Sequence, residues 1–279
     1  MGNRVDGEVI MQAWEMTPEQ VRAKLDSDDW EWSFSRISSS NCLYSFYLHY
    51  IEGNRGLDNG SAQFGKAMHK TLEKYFKGEL DVFDAPQDFK EQFEAMVTCD
   101  FPYNRYKDLK ESAYESGIEY LNNLSFDFDK YEILGVEKEC KFKVDKYKFQ
   151  GYIDLLLRDK DTGDIIIVDH KTTQFKYLKN GDISKTNQEQ FDHFKKQELL
   201  YSIPVIEQYG KVDYLAWNMI RDKKIIKIPF DKKEFKEAQE WAINQIHTIE
   251  NELLWLPNTE NNYYCNVLCG QRGVCPYHQ

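Results

Sequence analysis

Two apolar segments, each carrying an aspartate, constrain the fold of this chain most. Residues 147–157 are rich in β-forming side chains and include Asp154, and the apolar run 165–168 ends at Asp169. A short continuous apolar run of this kind is typical of a strand buried on both faces. Because the turn-forming sequence Asp161-Thr162-Gly163 separates the two segments, they predict a β-hairpin.

The register of this hairpin sets the relation between the two aspartates. A loop with an even number of residues at Asp161-Thr162 places Asp154 opposite Asp169, with Cβ atoms about 5 Å apart. Facing carboxylates repel, and a divalent cation between them removes that cost because Mg²⁺ prefers hard oxygen ligands. Lys171 lies on the same strand face as Asp169. The alternatives are a five-residue loop, which separates the pair, and solvated strand-edge charges, one of them paired with Lys171.

Helical patterns surround these strands. The helix predicted over 62–76 has one apolar stripe, 87–124 reads as helix broken near Phe101-Pro102, and 187–209 returns to helix. Asp231 is placed to cap a last helix that reaches Leu254. We predict one α/β domain in three parts: a mainly helical part at 1–130, a core at 131–256 and a cysteine-rich tail at 257–279.

The charge pattern narrows the class of partner. The chain carries 36 Lys and Arg against 47 Asp and Glu, a net charge of −11, which argues against a protein that coats nucleic acid non-specifically. The segment 138–236 is nevertheless mildly basic. No apolar run approaches the roughly 20 residues that span a bilayer, and the first 30 residues lack a signal-peptide core. We therefore expect a cytoplasmic protein without a membrane partner.

Short motifs that follow one another in order carry a family resemblance. They are Gly65-x-x-x-His69, Glu137, Gly151-x-Ile153-Asp154, Asp169-x-Lys171 and Gln197-x-x-x-Tyr201. This set resembles the PD-(D/E)XK nuclease superfamily, and more closely its RecB-type branch, with Ile153 in place of the proline of the superfamily name. The resemblance runs from about Ser38 to the C-terminus. It implies a restriction-endonuclease-like core, a mixed central sheet flanked by helices.

The resemblance also implies roles for these residues. Asp154 and Asp169 would bind Mg²⁺ or Mn²⁺ together with the main-chain carbonyl of His170, and His69 would be a further ligand. Lys171 would orient or activate the attacking water and offset charge on the phosphate. Metal-assisted phosphodiester cleavage needs these contributions. Taken alone, His69 also fits a satisfied histidine at the edge of a core.

Three further residues complete the predicted site. Glu137 lies on the strand before the hairpin and is an additional candidate ligand, although neighbouring Glu139 leaves open which of the two faces the metal. Gln197 and Tyr201 are four residues apart and share a helix face. They would touch the nucleotide or support the lysine, whereas by themselves they also fit an ordinary helix with one aromatic residue in the core.

A group of cysteines marks the C-terminus. Clustered cysteines in a cytosolic chain bind metal more often than they form disulfides, and a fourth ligand is needed for either zinc or an iron–sulfur cluster. In the iron–sulfur members of the same nuclease branch, one N-terminal cysteine joins three C-terminal ones around a [4Fe–4S] cluster, an arrangement that Cys42 completes here. Zinc, with His278 or Cys42 as fourth ligand, is the alternative. The C-terminal cysteines are Cys265, Cys269 and Cys275.

These observations predict a metal-dependent deoxyribonuclease that acts on single strands or DNA ends in recombination, repair or replication, alone or beside a helicase or recombinase. A catalytically silent DNA-binding or scaffold subunit and a sequence-specific endonuclease are the competing functions. The basic middle segment predicts a groove for single strands, unless its residues form a solvated face and a core stripe. Its lysines and aromatic residues are Lys176, Lys179, Lys185, Lys195, Lys196, Phe175, Tyr177, Phe191 and Phe194.

Overall fold

The computed structural model describes residues 16–277. By their contacts these residues form two compact units: one contains the described residues up to Leu57 together with those from Ala242 onward, and the other is Asp58–Trp241. None of the described helices is long and apolar enough to cross a membrane. His278, an alternative zinc ligand in the sequence analysis, lies outside the described residues.

The α-helices and strands follow the predicted order. The helices are α1 (Pro18–Leu25), α2 (Phe34–Ser38), α3 (Leu43–Phe46), α4 (Gly60–Phe76), α5 (Ala85–Met96), α6 (Leu109–Asn122), α7 (Lys185–Tyr209) and α8 (Lys232–Glu250). The strands are β1 (Tyr131–Val144), β2 (Tyr147–Asp159), β3 (Ile165–Lys171), β4 (Tyr214–Met219) and β5 (Lys224–Pro229). Short π-helices lie at Tyr47–Ile51 and Tyr264–Leu268.

The unit Asp58–Trp241 is built on one five-stranded sheet in the order β1-β2-β3-β4-β5. Strands β3 and β4 are parallel and are joined through α7, and the other neighbours are antiparallel. Helices α4, α5 and α6 cover one face, where they bury side chains such as Leu155 and Val168. On α7, the Phe191 ring packs against Trp217 of β4, 4.8 Å between centroids. The mixed sheet flanked by helices agrees with the predicted fold class.

The hairpin formed by β2 and β3 has the predicted register. Leu155 pairs with Val168 and Arg158 pairs with Ile165. A four-residue loop closes it, since the Asp159 amide donates to the Asp164 carbonyl at 2.9 Å. One step beyond the pair of Leu155 and Val168, the same register sets Asp154 opposite Asp169. The even-numbered loop assumed from the sequence is thereby confirmed.

Side-chain hydrogen bonds set two helix boundaries, one of which differs from the prediction. Helix α2 starts where the Ser33 hydroxyl accepts from the Arg36 amide, and the Ser38 hydroxyl donates to the Phe34 carbonyl. The last helix ends at Glu250 rather than Leu254. The Glu252 carboxylate there accepts from the amides that follow it, which favours a turn over further helix.

The other unit joins the N-terminal helices to the C-terminal segment through aromatic packing. Trp255 stacks on Phe46 and contacts Tyr47, with ring centroids 6.0 and 5.2 Å apart, and all three side chains are buried. Helix α1 begins with a capping box between Thr17 and Gln20. Buried aromatic side chains contribute large apolar areas, so these contacts hold the chain ends together.

Candidate metal and active site

Three carboxylates form a row across neighbouring strands. The pairs of Val136 with Leu155 and of Lys138 with Ile153 set Glu137 of β1 opposite Asp154 of β2, and Asp154 lies opposite Asp169 of β3. A register shift between Ile133 and Gly135 creates this alignment; in the unshifted register Val136 would face Asp154. Glu137 itself has φ +45°, a left-handed conformation that costs a non-glycine residue free energy and that clusters at functional sites.

The side chain of His69, on α4, contacts this row of carboxylates. Its Nδ1 lies 3.4 Å from a Glu137 carboxylate oxygen and 3.6 Å from Asp154 Oδ2. Its Nε2 lies 2.9 Å from the main-chain carbonyl oxygen of His170. Helix α4 holds the ring in place. Asn59 caps the N-terminus of the helix, and Met68 and Leu72, one residue before and three residues after His69, are fully buried.

Lys171 occupies the other end of the row. Its Nζ lies 2.8 Å from Asp169 Oδ2, and it donates to Gln197 Oε1 of α7 at 3.3 Å. The ammonium also lies 4.5 Å from the centroid of the Phe194 ring, a cation–π contact. Three partners therefore fix a lysine that is only 18% exposed.

The charges of the site shift one another's pKa. Burial opposes the charge on His69, but the hydrogen bond with Glu137 and the charge of Asp154 outweigh it and raise the pKa of the imidazole to about 9. Burial raises the pKa of Asp169 to about 6, although Lys171 acts in the opposite direction. Burial also raises the pKa of Asp154. Carboxylates crowded in this way repel one another, and a bound divalent cation would supply the positive charge that offsets the repulsion.

His170 contributes to the site through its backbone. Its amide donates to Asp154 Oδ2 at 2.7 Å, which orients that carboxylate. Its side chain points to the opposite sheet face, where it stacks on Phe76 and its Nδ1 lies 3.1 Å from Asn218 Nδ2. Burial lowers the pKa of this imidazole well below its usual value, so the ring is neutral.

Glu198 of α7 is a buried candidate functional residue that was not predicted from the sequence. This residue is 2% exposed. Burial raises its pKa well above the usual range, and the charge of Asp169 acts in the same direction. The sequence carries one signal for it, the apolar residues Leu199 and Leu200 that follow Glu198. A glutamate in a buried part of a helix usually has a charged partner or a functional role.

The structure brings most of the predicted residues together, whereas the ring contacts of Tyr201 are with Gly151 and Phe142. A Cβ atom at Gly151 would lie 2.5 Å from the Tyr201 ring. Of the two glutamates that the sequence left open, Glu137 faces His69 and Glu139 is exposed. The residues that meet in one cluster are His69, Glu137, Asp154, Asp169, Lys171, Gln197 and the main chain of His170.

The donor set fits a divalent cation. His69, Glu137 and Asp154 each offer one ligand atom within 4.8 Å of the others, and within residues 16–277 no second group of this kind is found. Asp169 Oδ2 is buried and makes no hydrogen bond despite its proximity to Lys171. Carboxylate and carbonyl oxygens with one imidazole suit Mg²⁺ or Mn²⁺.

The stacking groove predicted for the middle segment is largely internal. Phe175 and Phe191 are buried, and Phe175 stacks on Phe194 with centroids 5.8 Å apart. Tyr177 is half-buried and donates to Asp222 at 2.8 Å. The prediction of a stacking surface is wrong for Phe175 and Phe191, which belong to a core stripe, the alternative interpretation. Phe194 is half-buried like Tyr177, and for these two rings a stacking role stays a prediction.

The cysteines predicted to form a cluster line one pocket. The Asn258 amide donates to Cys42 Sγ at 3.4 Å, and Cys265 Sγ donates to the Asn258 carbonyl at 3.5 Å. None of the six cysteines, all of which lie within residues 16–277, forms a disulfide. No three of their sulfur atoms all lie within 4.8 Å of one another. The pocket is lined by Cys42, Cys265, Cys269 and Cys275, with Tyr44 and Tyr264 among their neighbours.

Comparisons with known proteins identify the family of the chain. No curated protein matches the chain in sequence. A candidate exonuclease from Eubacterium rectale, known as a crystal structure, is 15% identical with a TM-score of 0.49, over 79% of this chain and 81% of that one. The sequence model of the PD-(D/E)XK nuclease superfamily matches residues 31–278, a span that includes the whole site. The chain therefore belongs to the PD-(D/E)XK nuclease superfamily.

Proposed function

We propose that this chain is a metal-dependent deoxyribonuclease, an exonuclease that acts on single strands or DNA ends in recombination, repair or replication. One observation carries the proposal: an acidic row on three strands meets His69 at one end and a fixed lysine at the other. A purely structural role does not explain why a sheet would bury opposed carboxylates, since like charges across a ladder destabilise it.

Each residue of the row has a separate task. His69, Glu137, Asp154, Asp169 and the His170 carbonyl would hold the metal. When bound, Mg²⁺ or Mn²⁺ lowers the pKa of a coordinated water and stabilises charge on the phosphate. Lys171 stays charged, because Asp169 raises its pKa against the effect of burial. Its ammonium would contact the phosphate and stabilise the additional negative charge of the transition state.

The cysteine pocket supports a structural [4Fe–4S] cluster held by Cys42, Cys265, Cys269 and Cys275. A tetrahedral zinc ion with Zn–S bonds of about 2.3 Å needs its sulfur atoms less than about 4 Å apart. Among the described residues no three thiols meet that spacing, and zinc stays the alternative to the cluster. The cysteine order also resembles that of the iron–sulfur nucleases. Such a cluster would join the two ends of the chain and constrain the unfolded state.

The function is tested with end-labelled single-stranded DNA and protein purified without oxygen. We expect degradation with Mn²⁺, none with EDTA, and none with the Asp154→Asn variant in Mn²⁺. The order in which labelled products appear gives the polarity. A wild-type protein of full metal content that cleaves no DNA but shifts it in a gel would instead be a catalytically silent binding subunit.

Metal affinity should rise with pH. The metal displaces protons from its ligands, and the metal-free pKa of His69 is about 9 while that of Asp169 is about 6. Between pH 6 and pH 9 the Mn²⁺ affinity should therefore increase roughly tenfold per pH unit, with one proton released. Calorimetric titrations in buffers of different ionisation enthalpy measure both. The His69→Gln variant should lose the slope; a pH-independent wild type would contradict the assignment.

Glu137 and Glu139 form a matched pair. Both lie on β1, but only Glu137 faces His69. Glu137→Gln should weaken Mn²⁺ binding roughly 10–100-fold, the range known for residues that support a metal site, and lower cleavage in parallel at limiting metal. Glu139→Gln should match the wild type in both measurements. Equal effects of the two substitutions would show that Mn²⁺ binding depends on the general negative charge of β1 and not on the position of Glu137 opposite His69.

A further inference from the structure

The loop between α5 and α6 exposes aromatic rings to an unusual degree. In this α5–α6 loop, residues 97–108, the side chain of Tyr103 is 92% exposed and that of Tyr106 is 79% exposed. Arg105 stands between them, with its guanidinium 4.5 Å from the centroid of the Tyr106 ring. Single exposed apolar residues need no explanation, whereas two rings that flank a cation in one loop form a defined surface.

The loop is anchored to the N-terminal end of α4. The side-chain oxygen of Gln63 accepts hydrogen bonds from the amides of Thr98 and Cys99 at 3.0 and 2.8 Å. Phe101 packs on Gly60, where a Cβ atom would lie 2.4 Å from the ring. The rings of this loop are therefore presented from a fixed base.

The exposed half of the loop also has a defined shape. The Asn104 side chain accepts from the Tyr106 amide at 2.8 Å and forms a local turn. Asp108 then caps α6 by accepting from the Lys110 and Glu111 amides. These bonds fix the backbone at Tyr106 and at the start of α6, the C-terminal side of the exposed segment.

The anchor places the loop near the acidic row. Gln63 precedes His69 on α4 by six residues, about 9 Å along a helix axis. Between them, Gly65 lies beside Thr172, the residue that follows Lys171, since a Cβ atom at Gly65 would be 3.4 Å from Thr172 Oγ1. The base of the loop and the site therefore share one helix and are about two turns apart.

The exposed segment of the loop combines its rings with two cations. Arg105 and Lys107 lie in or beside the Tyr103–Tyr106 segment, whereas Asp100 and Asp108 lie nearer the two ends of the loop, whose net charge is zero. Exposed rings that stack bases, combined with cations that follow phosphates, are the means by which proteins hold single-stranded nucleic acid. Of the four aromatic residues of the middle segment that the sequence indicated for this task, two are buried and two are half-buried.

We propose that the α5–α6 loop is a stacking platform for single-stranded DNA. Tyr103 and Tyr106 stack on unpaired bases, and Arg105 and Lys107 contact the phosphates of the strand that leads to the acidic row. The proposal deepens the proposed function and rests on it, because it gives the nuclease a preference for unpaired DNA.

The test measures binding of a fluorescent single-stranded oligonucleotide, and of the matching duplex, by anisotropy in EDTA, where no cleavage occurs. Tyr103→Ala/Tyr106→Ala should raise the Kd for the single strand at least about fivefold and leave the Kd for the duplex unchanged. Tyr103→Phe/Tyr106→Phe keeps both rings and should bind like the wild type. Phe83→Ala is the control, since Phe83 is 88% exposed but lies in the turn after α4, at its other end.

The outcomes separate the platform from the nuclease. A wild type that cleaves with Mn²⁺, together with an alanine variant that binds the single strand normally, would overturn the platform alone. Equal losses for single strand and duplex would also overturn it, because stacking requires unpaired bases. A wild type that neither binds nor cleaves DNA would overturn the proposed function as well.

Discussion

Lys171→Gln should lower DNA cleavage by roughly two to three orders of magnitude, the effect known for removal of one charge-stabilising donor. Glutamine can still donate to Asp169, so the buried carboxylate keeps a partner and the fold is preserved. The positive charge is lost, and with it the stabilisation of the developing charge on the phosphate. Because Lys171 is not a metal ligand in this assignment, Mn²⁺ affinity should change far less than the rate.

The measurement is single-turnover cleavage at saturating Mn²⁺, with Mn²⁺ binding determined on the same protein. Lys211→Gln is the matched control, since Lys211 also pairs with a carboxylate, that of Asp213, at 2.8 Å just before β4. It should cleave like the wild type. Full activity of Lys171→Gln would remove the lysine from the reaction, and a parallel loss of Mn²⁺ binding would show that it shapes the metal site instead.

Cys269→Ser should remove iron from the protein and destabilise it strongly. A cross-link between Cys42 and the C-terminal cysteines closes a loop of more than 200 residues. The loop-entropy relation gives such a link about 5 kcal/mol, which corresponds to a Tm decrease of roughly 10 °C or more in a chain of this size. The serine hydroxyl is a poor ligand for iron, so the loss should not be partial.

Iron and acid-labile sulfide are quantified after purification without oxygen, and unfolding is followed by circular dichroism. Cys99→Ser is the control because Cys99 lies outside the pocket; it should retain the metal and the wild-type Tm. Unchanged iron content and melting in Cys269→Ser would refute the cluster. Zinc in place of iron would keep a structural metal but reject the cubane assignment.

Local rules predicted much of the fold. The hairpin register followed from one assumption, an even-numbered loop at Asp161-Thr162, and the observed pairing of Leu155 with Val168 confirms it. Asp231 was expected to cap the last helix and accepts from the amides at the start of α8. These features depend on neighbouring residues, so the sequence carries the information directly.

Features set by distant contacts were not predictable in the same way. Glu137 faces the site only because the register of β1 shifts by one residue between Ile133 and Gly135, and a single sequence gives no measure of such a bulge. The burial of Phe175 and Phe191 depends on how α7 packs on the sheet. For the same reason the exposed rings at Tyr103 and Tyr106 were not distinguished from core residues.

The central claim is that the acidic row binds a divalent cation, and anomalous scattering from a crystal grown with Mn²⁺ tests it most directly. We expect a peak within bonding distance of His69, Glu137, Asp154, Asp169 and the His170 carbonyl, and its absence in crystals of Asp154→Asn. A wild-type crystal without a peak at this position, or with Mn²⁺ held only by other residues, would contradict it.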